Sequence, residues 1–193
     1  RLIAKRYYSP DILVIAYAPD KDLFHSETLK TISDITKKLL DLKQVHSVNS
    51  ILNVPLLQSP PRPISEFLEY IPILEDPKTD KNLARLEFLN SPIYKDNLVS
   101  SDFKTTAILV NLKDDEVGMS LRNKRDSLRE AIKNKNISKN EMKNLDEIKT
   151  LYKQHRDKMR QINKETIFDV RSILSSYQSD ESLFLGGLSM ISN

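Results

Sequence analysis

An α+β fold is predicted by three observations. Two short, apolar, β-rich runs stand at residues 11–18 and 105–112. Segments with helical apolar spacing follow each of them, and a further β-rich run closes each half. Two half-motifs in this order, separated by a proline-rich excursion, read as β-α-β, excursion, β(β)-α-β. That order is the ferredoxin-like split βαβ sandwich, here with a long α-helical hairpin insertion.

The first run, from Asp11 through Ala18, is nearly all apolar, as a strand buried on both faces should be. Pro19 and Asp20 break it. Ser26 precedes the next segment and is placed to cap a helix, with Glu27 favourable in the first turn. Leu29, Ile32, Ile35, Thr36, Leu39 and Leu40 follow at helical spacing, so this helix is amphipathic. A second strand is expected over residues 45–54, where Val45, Val48, Ile51 and Val54 supply β-branched side chains.

Residues 55–97 hold seven of the nine prolines, which excludes a long continuous helix through much of the stretch. Short helices remain possible at 65–70 and 81–89. Phe67, Leu68, Ile71, Leu74, Leu86 and Phe88 make the stretch too apolar for a free linker, so it reads as a structured excursion. A hairpin is expected next. Residues 98–101 form its first arm, Asp102 its turn and residues 105–112 its second arm, although Phe103 stands where a tight turn favours Gly.

From Val117 to about Tyr177 the chain reads helical, with a break near residues 134–136. The second arm carries Leu145, Ile148, Tyr152, His155, Met159 and Ile162 at steps of three and four, a coiled-coil-like spacing. Residues 113–165 contain 15 basic and 10 acidic side chains, a local excess of five positive charges. An antiparallel hairpin projecting from the globular part is the economical picture. A last strand is expected over 182–191, with Gly186 and Gly187 allowing close backbone approach or a bulge. The expected domains are 1–112 with 166–193 as the ferredoxin-like part, containing the 55–97 excursion, and 113–165 as the hairpin insertion.

Composition narrows function. The chain has 193 residues and a net charge of +3 from 30 basic and 27 acidic groups. That near balance is not the footprint of a nucleic-acid binder. Mean hydropathy is −0.45, and no apolar run approaches the roughly 20 residues that cross a bilayer. The absence of cysteine removes disulfides, thiol nucleophiles and thiolate metal sites. The start at Arg1, with no initiator Met and no signal-peptide pattern, points to a processed or excised segment.

Chemistry-bearing motifs are sparse. With three glycines there is no Gly-rich phosphate loop. His25, His46 and His155 are far apart and form no metal-binding pair. They read instead as a loop residue, a strand-start residue and a residue on or beside the coiled-coil seam. Asp114, Asp115 and Glu116 precede the long helical region, where negative charge complements the helix dipole better than it builds a cation site. Asp20 and Asp22 read as solvated or capping. Tyr7 and Tyr8 balance between an interfacial aromatic anchor and simple packing. The basic hairpin reads as a solvated face before it reads as a surface for acidic lipid or nucleic acid. No catalytic, cofactor-binding or metal-ligating residue is assigned, and no substrate-path residue can be named.

Four segments in order carry a resemblance. Leu23-Phe24-His25-Ser26-Glu27-Thr28-Leu29 follows the first strand. Val45-His46-Ser47-Val48-Asn49-Ser50-Ile51 comes next. Then come Asn97-Leu98-Val99-Ser100-Ser101-Asp102-Phe103-Lys104-Thr105-Thr106-Ala107 and Tyr177 with Leu183-Phe184-Leu185-Gly186-Gly187-Leu188. Together they resemble the large extracytoplasmic loop of exporters of the resistance-nodulation-division (RND) superfamily, especially the branch of the mycobacterial membrane protein large transporters. Gln44 and Phe103 stand where that family has Gly, and Ser189 where it often has Pro. The resemblance implies a porter domain between two transmembrane helices of a proton-driven inner-membrane exporter, facing the periplasm or cell exterior. It implies no enzymatic activity and no cofactor. Proton-relay carboxylates would lie in the membrane helices, outside this chain. The implied partners are the rest of the transporter polypeptide, the membrane and a hydrophobic or lipid-like substrate, with no nucleic acid. A homo-oligomer or accessory protein could use the hairpin. Two alternatives remain: a stand-alone protein-interaction module using the basic hairpin, and a small cytosolic enzyme with a pocket near Asp102, Glu116 or His46.

Overall fold

The computed structural model describes residues 12–59, 70–133, 139–177 and 183–188. Four strands and four helices occur in the order β1 (Ile12–Tyr17), α1 (Ser26–Leu40), β2 (Val45–Asn49), α2 (Lys81–Asn90), β3 (Thr106–Leu112), α3 (Glu116–Lys133), α4 (Lys139–Ser175) and β4 (Leu183–Leu188). The fold is α+β. Its sheet has the order β2-β3-β1-β4, and every neighbouring pair is antiparallel. By contacts the chain divides into two units. One holds the described residues of 1–113 and 170–193, the other residues 114–169.

In the first unit, register decides which side chains share the core. Leu13 pairs with Val110, Ile15 with Ile108 and Tyr17 with Thr106, and all six are buried. Period-two alternation therefore sends one residue set to one face. Val45 and Val48 of β2 extend that face through Leu112 and Val110. α1 lies against β2 and β3, and it buries Thr28, Ile32, Ile35 and Leu39. Ile32, Ile35 and Leu39 follow the three- and four-residue steps that put one stripe on a core. β1 is not buried on both faces, as its run of apolar residues led us to expect: Ile12, Val14 and Ala16 are half-buried. Its apolar character follows from its central place in the sheet, between β3 and β4.

Several local expectations are corrected. His25, not Ser26, is the N-cap of α1, and its Nδ1 accepts the Glu27 amide at 3.3 Å. Ser26 is the first helical residue. β2 ends at Asn49 rather than Val54. The reason is Asn53, whose Oδ1 accepts the Ser50 amide at 2.8 Å and whose amide donates to the Val48 carbonyl at 2.7 Å. These bonds give the backbone a turn in place of a ladder. The first arm of the expected hairpin is not a strand. Only Val99 bridges, to Thr106 and to Lys95, because Leu98 and Val99 are drawn into a turn whose amides bond the Tyr94 carbonyl at 2.7 and 3.1 Å.

The described parts of the excursion, 55–59 and 70–97, belong to the first unit. The Leu56 amide donates to the Pro72 carbonyl at 2.8 Å and the Glu75 amide to the Leu52 carbonyl at 3.2 Å. Leu56, Leu74, Ala84, Phe88 and Tyr94 are buried. Asp80 caps α2 by accepting the Asn82 and Leu83 amides. The helix expected at 65–70 lies mostly outside the described residues. So do Arg1, Tyr7, Tyr8, the break at 134–136 and Ser189.

The second unit contains α3 and α4 up to Asp169. Asp115, just before α3, reaches His155 in the middle of α4 at 2.6 Å. Arg125 of α3 lies over the Tyr152 ring of α4 at 4.6 Å. Leu145 and Thr166 are buried. Among the described residues, no helix is long and apolar enough to cross a membrane.

Candidate functional site

One corner of the first unit gathers charged and aromatic groups from three segments. Asp22, in the loop after β1, accepts the Phe24 amide at 2.8 Å. It also pairs with Arg85 of α2 at 2.5 Å. The Arg85 guanidinium hydrogen bond, more than any other contact, holds the Asp22 carboxyl below its ordinary range. The same guanidinium lies over Phe103 at 4.4 Å and Phe24 at 5.2 Å. Phe24 meets Phe103 edge-on at 5.2 Å and Phe88 at 6.1 Å. Phe88 continues to Tyr94 at 5.3 Å, and the Tyr94 hydroxyl donates to the Pro55 carbonyl. Burial, reinforced by the charge of Glu87, raises the Tyr94 phenol above its ordinary range. The cation already has a carboxylate and two ring faces as partners, so the corner pins elements together.

Glu87 sits one helical step from this corner and is buried. Its carboxylate accepts the Leu57 amide at 2.7 Å, the Gln58 amide at 2.9 Å and the Ser59 hydroxyl at 2.7 Å. A buried charge survives when its oxygens are supplied with donors, and three donors are supplied here. This carboxylate clamps residues 57–59 to α2.

Away from this corner, the first unit also carries a groove. It runs between α1 and the loop before α2 and has a volume of about 370 Å³, a size at which small-molecule sites begin. Its apolar side is Leu29, Leu52, Leu74 and Pro77, and Lys30, Lys81, Glu75 and Asp76 add charge. The Thr79 hydroxyl in its wall donates to the Ile73 carbonyl at 2.7 Å. Such a lining can hold an apolar body with a charged end. It presents no His or paired nucleophile and base.

The sequence candidates fall outside this groove. His25 caps α1, and His46 is exposed on β2. Asp102 is exposed and closes its own turn, with the Ser100 hydroxyl as the main cause of its lowered pKa. Asp20 is exposed, while Asp22 closes a local turn on the Phe24 amide and pairs with Arg85. Asp115 accepts the Gly118 amide at 2.9 Å, so it caps α3 as well as meeting His155. Glu116 stands in the first turn of α3. Among the described residues no group of three or more His, Asp and Glu side chains could hold a metal ion. Arg85, Glu87 and the groove residues were missed. Spacing within one segment cannot reveal Arg85 meeting Asp22 across 63 residues. One signal existed for Phe103: a bulky residue where a turn favours Gly needs outside support.

Comparison with protein-family models, with curated proteins and with solved structures finds no match to this chain.

Proposed function

We propose that this chain is the extracytoplasmic porter domain of an RND-like membrane exporter, built on a ferredoxin-like split βαβ sandwich. The observation that carries the reading is the register of the first and last strands. Ile12, which opens β1, pairs with Leu188, which closes β4. The chain thus enters and leaves the sheet side by side, as a domain set between two membrane helices requires. The strand order β2-β3-β1-β4 supports the ferredoxin-like plan, in which the two βαβ halves interleave. The groove along α1 supports a substrate path for hydrophobic or lipid-like molecules, since it pairs an apolar lining with charge. On this reading the domain shapes a path and moves as a rigid unit, while energy coupling resides in membrane helices beyond it.

The test is the gene that encodes the chain. Apolar runs of roughly 20 residues are expected directly before Arg1 and directly after Asn193. A reading frame that continues on both sides without them overturns the proposal. A transport assay then addresses the path: Leu29→Ser and Lys30→Glu, at half-buried and exposed positions of the groove wall, should lower export in the whole protein while leaving its amount in the membrane unchanged.

A further inference from the structure

α4 carries a cationic stripe that the porter reading does not use. Lys149, Lys153, Arg156, Arg160 and Lys164 recur at steps of four, three, four and four, and all five are exposed. At 100° per residue they fall within an arc of about 80°, over a length of roughly 22 Å. The seam side chains Ile148, Tyr152, His155, Met159 and Ile162 are less exposed and are centred about 120° away around the helix.

Two acids share the stripe's face. Asp146 pairs with Lys149 at 2.8 Å, and Asp157 lies 3.7 Å from Arg156 and 4.0 Å from Arg160. Lys153 and Lys164 make no ion pair among the described residues. The face therefore keeps a positive surplus. Its two ends carry exposed apolar side chains: Met142 is 57% and Phe168 72% exposed. Met142 is in line with the stripe, and Phe168 lies about 40° beyond its edge.

We propose that this face of α4 docks on an anionic lipid bilayer, with the cations among the headgroups and Met142 and Phe168 reaching toward the acyl boundary. Charge complementarity selects the partner: a straight cationic row suits a flat anionic surface. The apolar ends distinguish a bilayer from other polyanions, because large exposed apolar groups beside Lys and Arg gain energy at the headgroup boundary. A single-stranded nucleic acid would call for free rings along the stripe on which bases stack, and the one ring beside the stripe's middle, Tyr152, is already covered by the Arg125 guanidinium. The proposal rests on α4 alone and stands or falls apart from the porter reading.

The experiment is co-sedimentation of the full chain with vesicles of phosphatidylcholine, alone or with about one-third phosphatidylglycerol. Binding is expected with the anionic vesicles only, and release is expected in roughly 0.5 M salt. Lys153→Gln with Lys164→Gln should weaken binding by about 25-fold, near fivefold for each cation removed. Arg156→Gln with Arg160→Gln should also weaken it. Phe168→Ser should weaken binding without changing its salt dependence. Circular dichroism checks that each variant keeps its helix content. Equal sedimentation with both vesicle types overturns the proposal. So does unchanged binding by both folded double variants, or tighter binding to a single-stranded oligonucleotide than to the anionic vesicles.

Discussion

At Phe103 two effects of opposite sign meet. Its φ of 56° lies in the left-handed region, which costs a side-chain-bearing residue about 1–2 kcal/mol. Its ring is buried against Phe24 and Arg85, and losing such a ring costs about 3–5 kcal/mol. Burial wins. Phe103→Gly should therefore destabilise the first unit by about 2 kcal/mol in urea unfolding, although Gly suits the turn. Glu87 gives a second case. Glu87→Ala leaves three donors without an acceptor and should cost about 3 kcal/mol or more. Glu87→Gln, which keeps one carbonyl oxygen, should cost less. Amide exchange at Leu57 and Gln58 should accelerate in both. Asp22 sets a pH dependence. Its pKa is lowered in the folded state by Arg85, so its contribution is present above the ordinary carboxylate range and disappears as pH falls through the folded value. The pair is substantially exposed, at 35% and 48%, which limits it to about 1 kcal/mol or less. Comparing Asp22→Asn with the parent in urea at neutral and acid pH should show a difference at neutral pH that vanishes in acid.

Within an element, Gly118 inverts a common rule. Replacing a helix glycine by Ala ordinarily gains up to about 1 kcal/mol. A Cβ at Gly118 would stand 2.0 Å from the Asp115 carboxylate, so that side chain must swing away. The cap on α3 goes with it, worth about 1 kcal/mol, as does the contact with His155. Gly118→Ala should thus bring no gain in helix stability. Amide exchange in the first turn of α3 should quicken, and the His155 ring resonances should shift. The elements differ in how far sequence reveals them. α1 is plain because four buried positions keep helical steps. β3 is plain because Thr106, Ile108, Val110 and Leu112 alternate with less buried neighbours. β2 is shorter than its apolar content suggests because the Asn53 side chain ends it. The stretch at 98–101 looks like a strand but is not one, because its β-branched residue serves a turn closed by backbone bonds to Tyr94. The corner around Arg85 is illegible, since its partners lie in segments far from α2 in sequence, around residues 22–24 and at Phe103, and none has a motif of its own. The groove is illegible for the same reason.

The whole molecule gives the pairing of Ile12 with Leu188 a mechanical meaning. β1 is central, and β4 runs antiparallel along it from Tyr17–Leu183 to Ile12–Leu188. Traction on the two chain ends therefore meets the ladder at its open end. The hydrogen bonds between β1 and β4 would break in succession, as in a zipper, and never share the load. Single-molecule pulling with handles at residues 12 and 188 should peel β4 away at low force. Moving the first handle to residue 17 loads the same ladder lengthwise and should raise the rupture force. The same ladder thus resists a pull along its strands yet yields readily when Ile12 and Leu188 are drawn apart.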